Sequence, residues 1–352
     1  MQLSVLDQSP VSSGSTPADA LRNTIELARL ADRLGYARYW IAEHHATDTL
    51  ASPAPEVLIA RLGAETQRIR LGSGGVMLPH YSSLKVAEQF RMLHALYPDR
   101  IDLGIGRAAG GSPLEALALR RERLAGPMPD DFPDQLVELL GFLHREFAPR
   151  HPFSRIRVSP DMPGCPEVWL LGSSLWSASA AAQLGLPYAF AHFIAPQPTR
   201  TAIEHYRANF QPSAHLAAPR AIVALGAICA ETNGEAERLS SSVRLMGRRL
   251  RRGDLRPVPT VQEAERELAA PGTAEPTEES EWPRHLAGSP ERLRGELERI
   301  ASALAVEELM VVAIVHDHGA RLRSYELIAR AFELDSRSGA RQPAGAKPKT
   351  SP

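Results

Sequence analysis

Tyr39-Trp40-Ile41-Ala42-Glu43-His44-His45 is a short apolar run that stops abruptly in a carboxylate and two imidazoles. The apolar part predicts a buried strand. Histidine titrates nearest neutral pH of all the side chains. A strand that ends this way is therefore either capped by a histidine hydrogen-bonded into the wall, or opens into a site. The ends of the other strands decide between the two.

Upstream, Leu3 to Leu6 reads as a strand, followed by the loop Asp7-Gln8-Ser9-Pro10. A helix opens at Pro17, carries Leu21, Ile25, Ala28, Leu30 and Ala31 at helical spacing, and stops at Gly35. Downstream the unit repeats. A helix from Glu56 to Gly63 precedes Ile69-Arg70-Leu71, which leads into Gly72-Ser73-Gly74-Gly75-Val76-Met77-Leu78-Pro79. The helix Leu84 to Tyr97 is followed by the strand Ile101 to Arg107, and a looser stretch from Ala108 to Pro133 by the helix Asp134 to Phe147. Further strands are expected at Val168 to Leu171, Pro187 to Ala191, Ala221 to Cys229 and Leu309 to Val315, with helices between and after them. The proline-rich, acidic segment 252–288 reads as an insertion or lid, and 336–352 as a disordered tail.

Eight strands alternating with helices, with no hairpin signal, predict an α/β fold of the (β/α)8 TIM-barrel type with insertions, occupying residues 1–335. A doubly wound open sheet is the alternative. The placement of polar residues favours the barrel: His44, Gly74-Gly75, Arg107, Ser173-Ser174, His192 and His316 all fall at or just beyond the C-terminal ends of different strands, where barrel active sites are built.

Composition narrows the function. The 352 residues carry a net charge of -1, which offers no overall attraction for nucleic acid or a membrane surface, and no apolar run approaches the length of a membrane span. Cys165 and Cys229 form no metal or redox spacing and suit a reducing cytoplasm. Glu43-His44-His45 is a poor metal motif, because strand neighbours point to opposite faces and no second ligand cluster completes a shell. Gly104-Ile105-Gly106-Arg107-Ala108-Ala109 matches the dinucleotide pattern only superficially, since Gly110-Gly111-Ser112-Pro113 follows where a helix should open. The arginines Arg244, Arg248, Arg249, Arg251, Arg252 and Arg256 read as a solvated helix end, with an anionic partner as the second reading. Gly172-Ser173-Ser174 places amides and two hydroxyls at a helix start, an arrangement suited to a phosphate if Arg107 supplies the countercharge, and otherwise an N-cap.

Together with Leu3-Ser4-Val5-Leu6-Asp7, Asp99 to Arg107, Gly185-Leu186-Pro187 and Val315-His316-Asp317, these motifs resemble the bacterial luciferase-like flavin-dependent monooxygenases, in particular their single-chain antibiotic-cluster branch. The resemblance spans Leu3 to about Leu334. It implies a TIM barrel that binds reduced FMN at its C-terminal face and oxygenates a small organic substrate with O2 through a flavin C4a-hydroperoxide. Reduced flavin would come from a separate reductase, and a homodimer is expected. By position, His44 matches the catalytic histidine, with Glu43 and His45 adjusting its proton affinity. Gly74-Gly75 matches a non-proline cis peptide under the isoalloxazine, and Arg107, Ser173, Ser174 and Ser177 match the phosphate site. Tyr81, Trp176, His192 and His316 are the expected substrate-side residues. Two positions depart from the family: a reactive cysteine falls on Gly106 and a phosphate-loop glutamate on Ser173, so light emission is not implied. A deazaflavin (F420)-dependent oxidoreductase and a non-catalytic flavin-binding barrel are the alternatives.

Overall fold

The computed structural model describes residues 1–108, 110, 113–119, 130–270 and 280–334. Its strands are β1 (Gln2–Asp7), β2 (Arg38–Ile41), β3 (Arg70–Ser73), β4 (Val76–Met77), β5 (Ile101–Gly106), β6 (Glu167–Gly172), β7 (Tyr188–Ala191), β8 (Ala221–Cys229), β9 (His285–Gly288) and β10 (Glu308–Val312). All pairings between these strands are parallel. Strands β1, β2, β3, β5, β6, β7, β8 and β10 follow one another around a ring, and β10 closes it by pairing with both β1 (Leu3 beside Leu309) and β8 (Leu309 beside Val223). This is the closed (β/α)8 TIM barrel.

Each helix begins where its sequence signals it. Thr16 caps Pro17–Leu34 in a reciprocal box with Asp19, and Gly35 ends it in the left-handed conformation. Apolar residues divide between two layers with the period of two that a strand imposes. In β2, Tyr39 and Ile41 face the helices in the larger core, while Trp40 joins Leu6, Trp169, Ile222 and Met310 inside the barrel.

Arg38, on the inward side of the same strand, closes the N-terminal end of the barrel. Its Nη1 lies 2.8 Å from Asp102 and 3.1 Å from Glu167, and its Nε 3.0 Å from Glu308. The indoles of Trp40 and Trp169 donate to Asp102 and Glu167, each at 2.9 Å. Three carboxylates around Arg38 raise its pKa against the opposing effect of burial, and the same arginine, with Arg220 and Arg70, brings Glu167 down to about 2.

Two strands lie outside the ring. β4 continues the third unit beyond Gly74-Gly75 and pairs with β5. β9 was not foreseen, because His285-Leu286-Ala287-Gly288 has too few apolar residues to stand out. It forms because β8 is nine residues long: its first half pairs with β10 and its second half with β9.

Within the segment read as an insertion or lid, Val258 exchanges hydrogen bonds with the loop after β1: its amide donates to the Val11 carbonyl and its carbonyl accepts from Ser13. The helix Val261–Leu268 packs on the helix Asn233–Leu250. There Arg249 donates to Glu263 and Glu267 at 2.6 Å each. Arg248 and Arg249 are thus buried and paired, which corrects their reading as a solvated helix end. Residues 271–279 and the tail 336–352 fall outside the described residues.

Candidate active site

The alternation of β2 continues past its last paired residue. Ala42 faces the barrel interior, and His44, next in phase, lines the mouth, while Glu43 turns the other way. The Glu43 carboxylate is held by three donors: the Tyr81 hydroxyl at 2.7 Å and His45 Nε2 at 2.7 Å on Oε1, and the Met77 amide at 3.0 Å on Oε2. It therefore ties the end of β2 to Met77, the second residue after the glycine pair. Tyr81 is engaged behind this carboxylate and lines neither cavity at the mouth, contrary to its reading as a substrate-side residue. Burial, with the bond to Glu43 in second place, raises its pKa.

Among the described residues, His44 Nδ1 is buried without a hydrogen-bond partner, while the His44 backbone amide donates to the Ser52 carbonyl at 2.8 Å. Burial, reinforced by His45, lowers its pKa to about 4, so the ring is neutral at pH 7. Such a group can take or give a proton where a bound molecule reaches it.

A cavity of about 460 Å³ occupies the barrel mouth. One wall is the Gly74–Gly75 peptide, which is cis. A Cβ on Gly74 would lie 2.4 Å from Leu6 Cδ1, and one on Gly75 2.9 Å from the Gly104 carbonyl, so only glycine lets the chain pass between these neighbours. Leu6, Trp40, Leu171 and Ala189 complete an apolar lining, and Gly106 leaves open space where a side chain would fit.

At the polar end stand Ser173, Ser174, Ser177 and Arg107. Ser174 caps the helix Leu175–Gln183 in a box with Ser177. The Ser177 hydroxyl is buried and shares a 2.9 Å hydrogen bond with Tyr188, so it braces the turn from behind. Arg107 lies 4.3 Å over the ring of Trp176 and 2.5 Å from Asp130. Trp176 thus lines the cavity at its cationic end.

His192 and His316 do stand just beyond strand ends, but neither lines a cavity at the barrel mouth. His192 is buried, with Nδ1 2.7 Å from the Thr199 hydroxyl and Nε2 3.1 Å from the Pro283 carbonyl. His316 Nε2 lies 3.0 Å from the Ser13 carbonyl, and its backbone carbonyl accepts from Ser12. Both staple loops together. A strand-end position gives no information about which way the side chain turns.

A second cavity, about 640 Å³, adjoins the first and shares with it Gln8, His44, Met77, Phe193 and Ile194. His45, Val243, Met246, Leu250, Val312 and Ile314 line its body. Sequence reasoning singled out His45 but missed the other walls. Gln8 directly follows β1 and was reachable by the strand-end rule, whereas Val243, Met246 and Leu250 look like part of an ordinary amphipathic helix. Among the described residues, no group of three or more His, Cys, Asp or Glu is placed to hold a metal, and no helix is long and apolar enough to cross a membrane.

The luciferase-like monooxygenase family model matches residues 1–311. The chain belongs to the luciferase-like monooxygenase family. It is 42% identical over 324 residues to the luciferase-like monooxygenase of Escherichia coli K12, covering 92% of this chain and 95% of that protein. It is 48% identical over 194 residues to the N-acetyl-S-alkylcysteine monooxygenase of Bacillus subtilis strain 168, covering 55% of this chain and 58% of that one. The crystal structure of apo-MsnO8 superposes with a TM-score of 0.87 at 52% identity, over 95% of this chain and 98% of that one. This luciferase-like monooxygenase is therefore a flavin-dependent monooxygenase by class. A flavin or a deazaflavin is the kind of cofactor that suits both the family and the smaller cavity.

Proposed function

We propose that this luciferase-like monooxygenase binds reduced FMN in the smaller cavity and inserts an oxygen atom from O2 into a small organic substrate held in the larger one. The observation that carries the reading is the junction: two ligand-sized cavities meet at a buried, neutral histidine whose Nδ1 has no partner among the described residues. The smaller cavity fits a phosphorylated flavin. Its glycine-pair wall and apolar lining accept a flat ring system, and its far end offers two serine hydroxyls, a helix N-terminus and Arg107 to a phosphate.

Reduced flavin, when bound, supplies the electrons that activate O2. The chain's own residues do the rest. Ser173, Ser174 and Arg107 hold the phosphate, and Ser177 fixes the turn that presents the two serines. Leu6, Trp40 and Leu171 exclude water from the ring's surroundings. His44 gives or accepts a proton at the junction through Nδ1, and Glu43, clamped by Tyr81, His45 and the Met77 amide, keeps the histidine-bearing segment and the glycine loop in register. Reduced flavin is delivered by a separate reductase, since the two cavities are taken by flavin and substrate and the sequence carries no nicotinamide-dinucleotide signature. The family resemblance supports a homodimer acting in the cytoplasm.

Anaerobic titration with FMNH2 and with reduced F420, each followed by admission of oxygen, tests the reading. Saturable binding of FMNH2 and substrate-dependent oxygen uptake are expected. Reoxidation of F420 without oxygen uptake would replace it by the deazaflavin reading. Flavin binding without turnover, unchanged in His44→Ala, would reduce the protein to a binding barrel.

A further inference from the structure

The arginine-rich run at the end of the helix Asn233–Leu250 divides sharply by partner. Arg248 and Arg249 face Glu263 and Glu267, and Arg256 makes three hydrogen bonds of 2.7 to 3.0 Å to Asp254. Arg251 lines the larger cavity, and among the described residues its guanidinium meets no carboxylate. Arg284, on the same cavity, donates to the carbonyls of Phe193 and Ile194. Arg256 is neutralised by Asp254, which leaves Arg251, an exposed residue, as a cation on this lining with no carboxylate beside it among the described residues.

Around this charge the wall is apolar. Ile194, Leu250 and Leu255, 56%, 58% and 41% exposed, give the cavity an apolar rim. Val243, Met246, Val312 and Ile314 are more covered than the rim and line the same cavity, whose part shared with the smaller one contains His44 but not Arg251. The chemistry is divided: a cation outside the shared part of the cavity, and Val243, Met246, Leu250, Val312 and Ile314 as hydrocarbon on the same walls.

We propose that the larger cavity selects an amphiphilic organic anion, with its acid group on Arg251 and its apolar body extended toward His44. A guanidinium on an apolar wall is matched by a carboxylate or a comparable oxyanion, which it can bind through two parallel N–H donors. A neutral molecule of the same shape fills the apolar part and leaves the cation without a partner. The proposal rests on the larger cavity being the substrate side of the site.

Equilibrium binding of two matched pairs, octanoate with octanamide and 4-phenylbutanoate with 4-phenylbutanamide, tests it by calorimetry on the full chain with and without FMN. The parent is expected to bind at least one acid about tenfold more tightly than its amide, with the preference falling as salt rises. In Arg251→Gln the preference falls to about twofold or less, in Arg251→Lys most of it returns, and the FMN affinity of both variants stays at the parent value. Equal binding of acid and amide in both pairs, no binding of either acid, or a preference that Arg251→Gln retains overturns the proposal. An acid preference in a protein that fails to bind FMN leaves the anion site standing and removes the flavin reading instead.

Discussion

The two ends of the barrel carry similar residues and use them in opposite ways. At the N-terminal end Arg38, Asp102, Glu167, Glu308, Arg70 and Arg220 form one cluster in which every charge faces an opposite one, with the indoles of Trp40 and Trp169 filling further acceptor sites. At the C-terminal end, among the described residues, His44 Nδ1 is unpartnered and Arg251 has no carboxylate, and Ser173 and Ser174 edge a cavity. Polar groups buried together are costly unless they satisfy one another. The cluster of opposed charges therefore serves the fold, and the groups that edge the cavities are placed to serve a ligand. Arg38 and His44 lie six positions apart in phase on one inward-facing side of β2 and its extension, so one strand supplies both.

Removing a group from the open end should disable chemistry and spare the fold. His44→Ala is expected to lower the oxygenation rate by roughly 10²- to 10⁴-fold, the range of a lost general acid or base, with FMN affinity nearly unchanged. Single-turnover kinetics alongside flavin-fluorescence titration separates the two effects, and a variant that keeps its rate would erase the contrast between the ends. Removing a group from the closed end should do the reverse. Arg38→Ala leaves Asp102, Glu167 and Glu308 around an empty centre and is expected to cost roughly 3–5 kcal/mol of stability in urea unfolding. A loss below about 1 kcal/mol would mean that the cluster is not what closes the barrel.

Which end is which could be read in part from the sequence. The barrel was legible because its strands are apolar runs at regular intervals with capped helices between them. His44, Gly74-Gly75, Arg107 and Ser173-Ser174 were legible because they follow those runs directly. Tyr81, His192 and His316 were misplaced because each lies in a turn or bend whose course the sequence does not show, and their side chains turned toward Glu43, Thr199 and Ser13. The larger cavity was hidden for another. Its walls come from Val243, Met246 and Leu250 on a helix whose apolar stripe looks like any core-facing stripe, and from β9, whose four residues carry no strand pattern. Arg251 could not be told from Arg248 and Arg249 until their carboxylates were located.

Acid should reveal the open end through stability. The folded-state pKa of His44 lies at about 4 against 6.5 for a free histidine, so between these values the unfolded chain binds more protons. Stability is then fully present above about 6.5 and falls as pH drops toward 4, by at most ~3 kcal/mol for this group. His144, also lowered to about 4 by burial with help from His215, acts in the same direction. Unfolding midpoints from pH 7 to 4 should flatten in part in His44→Asn and keep the share of His144. A profile identical to the parent's would show that His44 protonates freely in the fold.

The smallest effect decides what the phosphate-side serine is for. Ser174 caps a helix and edges the cavity at once, so Ser174→Ala confounds a capping loss of ~1 kcal/mol with any loss of ligand contact. Glycine at an N-cap costs only a few tenths of a kcal/mol, because the bare backbone still allows water to reach the helix amides. Ser174→Gly is therefore expected to unfold within a few tenths of a kcal/mol of the parent while binding FMN several-fold more weakly, with riboflavin, which lacks the phosphate, unaffected. Equal weakening for FMN and riboflavin would place the change in the shape of the turn. Unchanged binding of both would move Ser174 from the open end's chemistry to the helix it caps, leaving Ser173 and Arg107 to meet the phosphate.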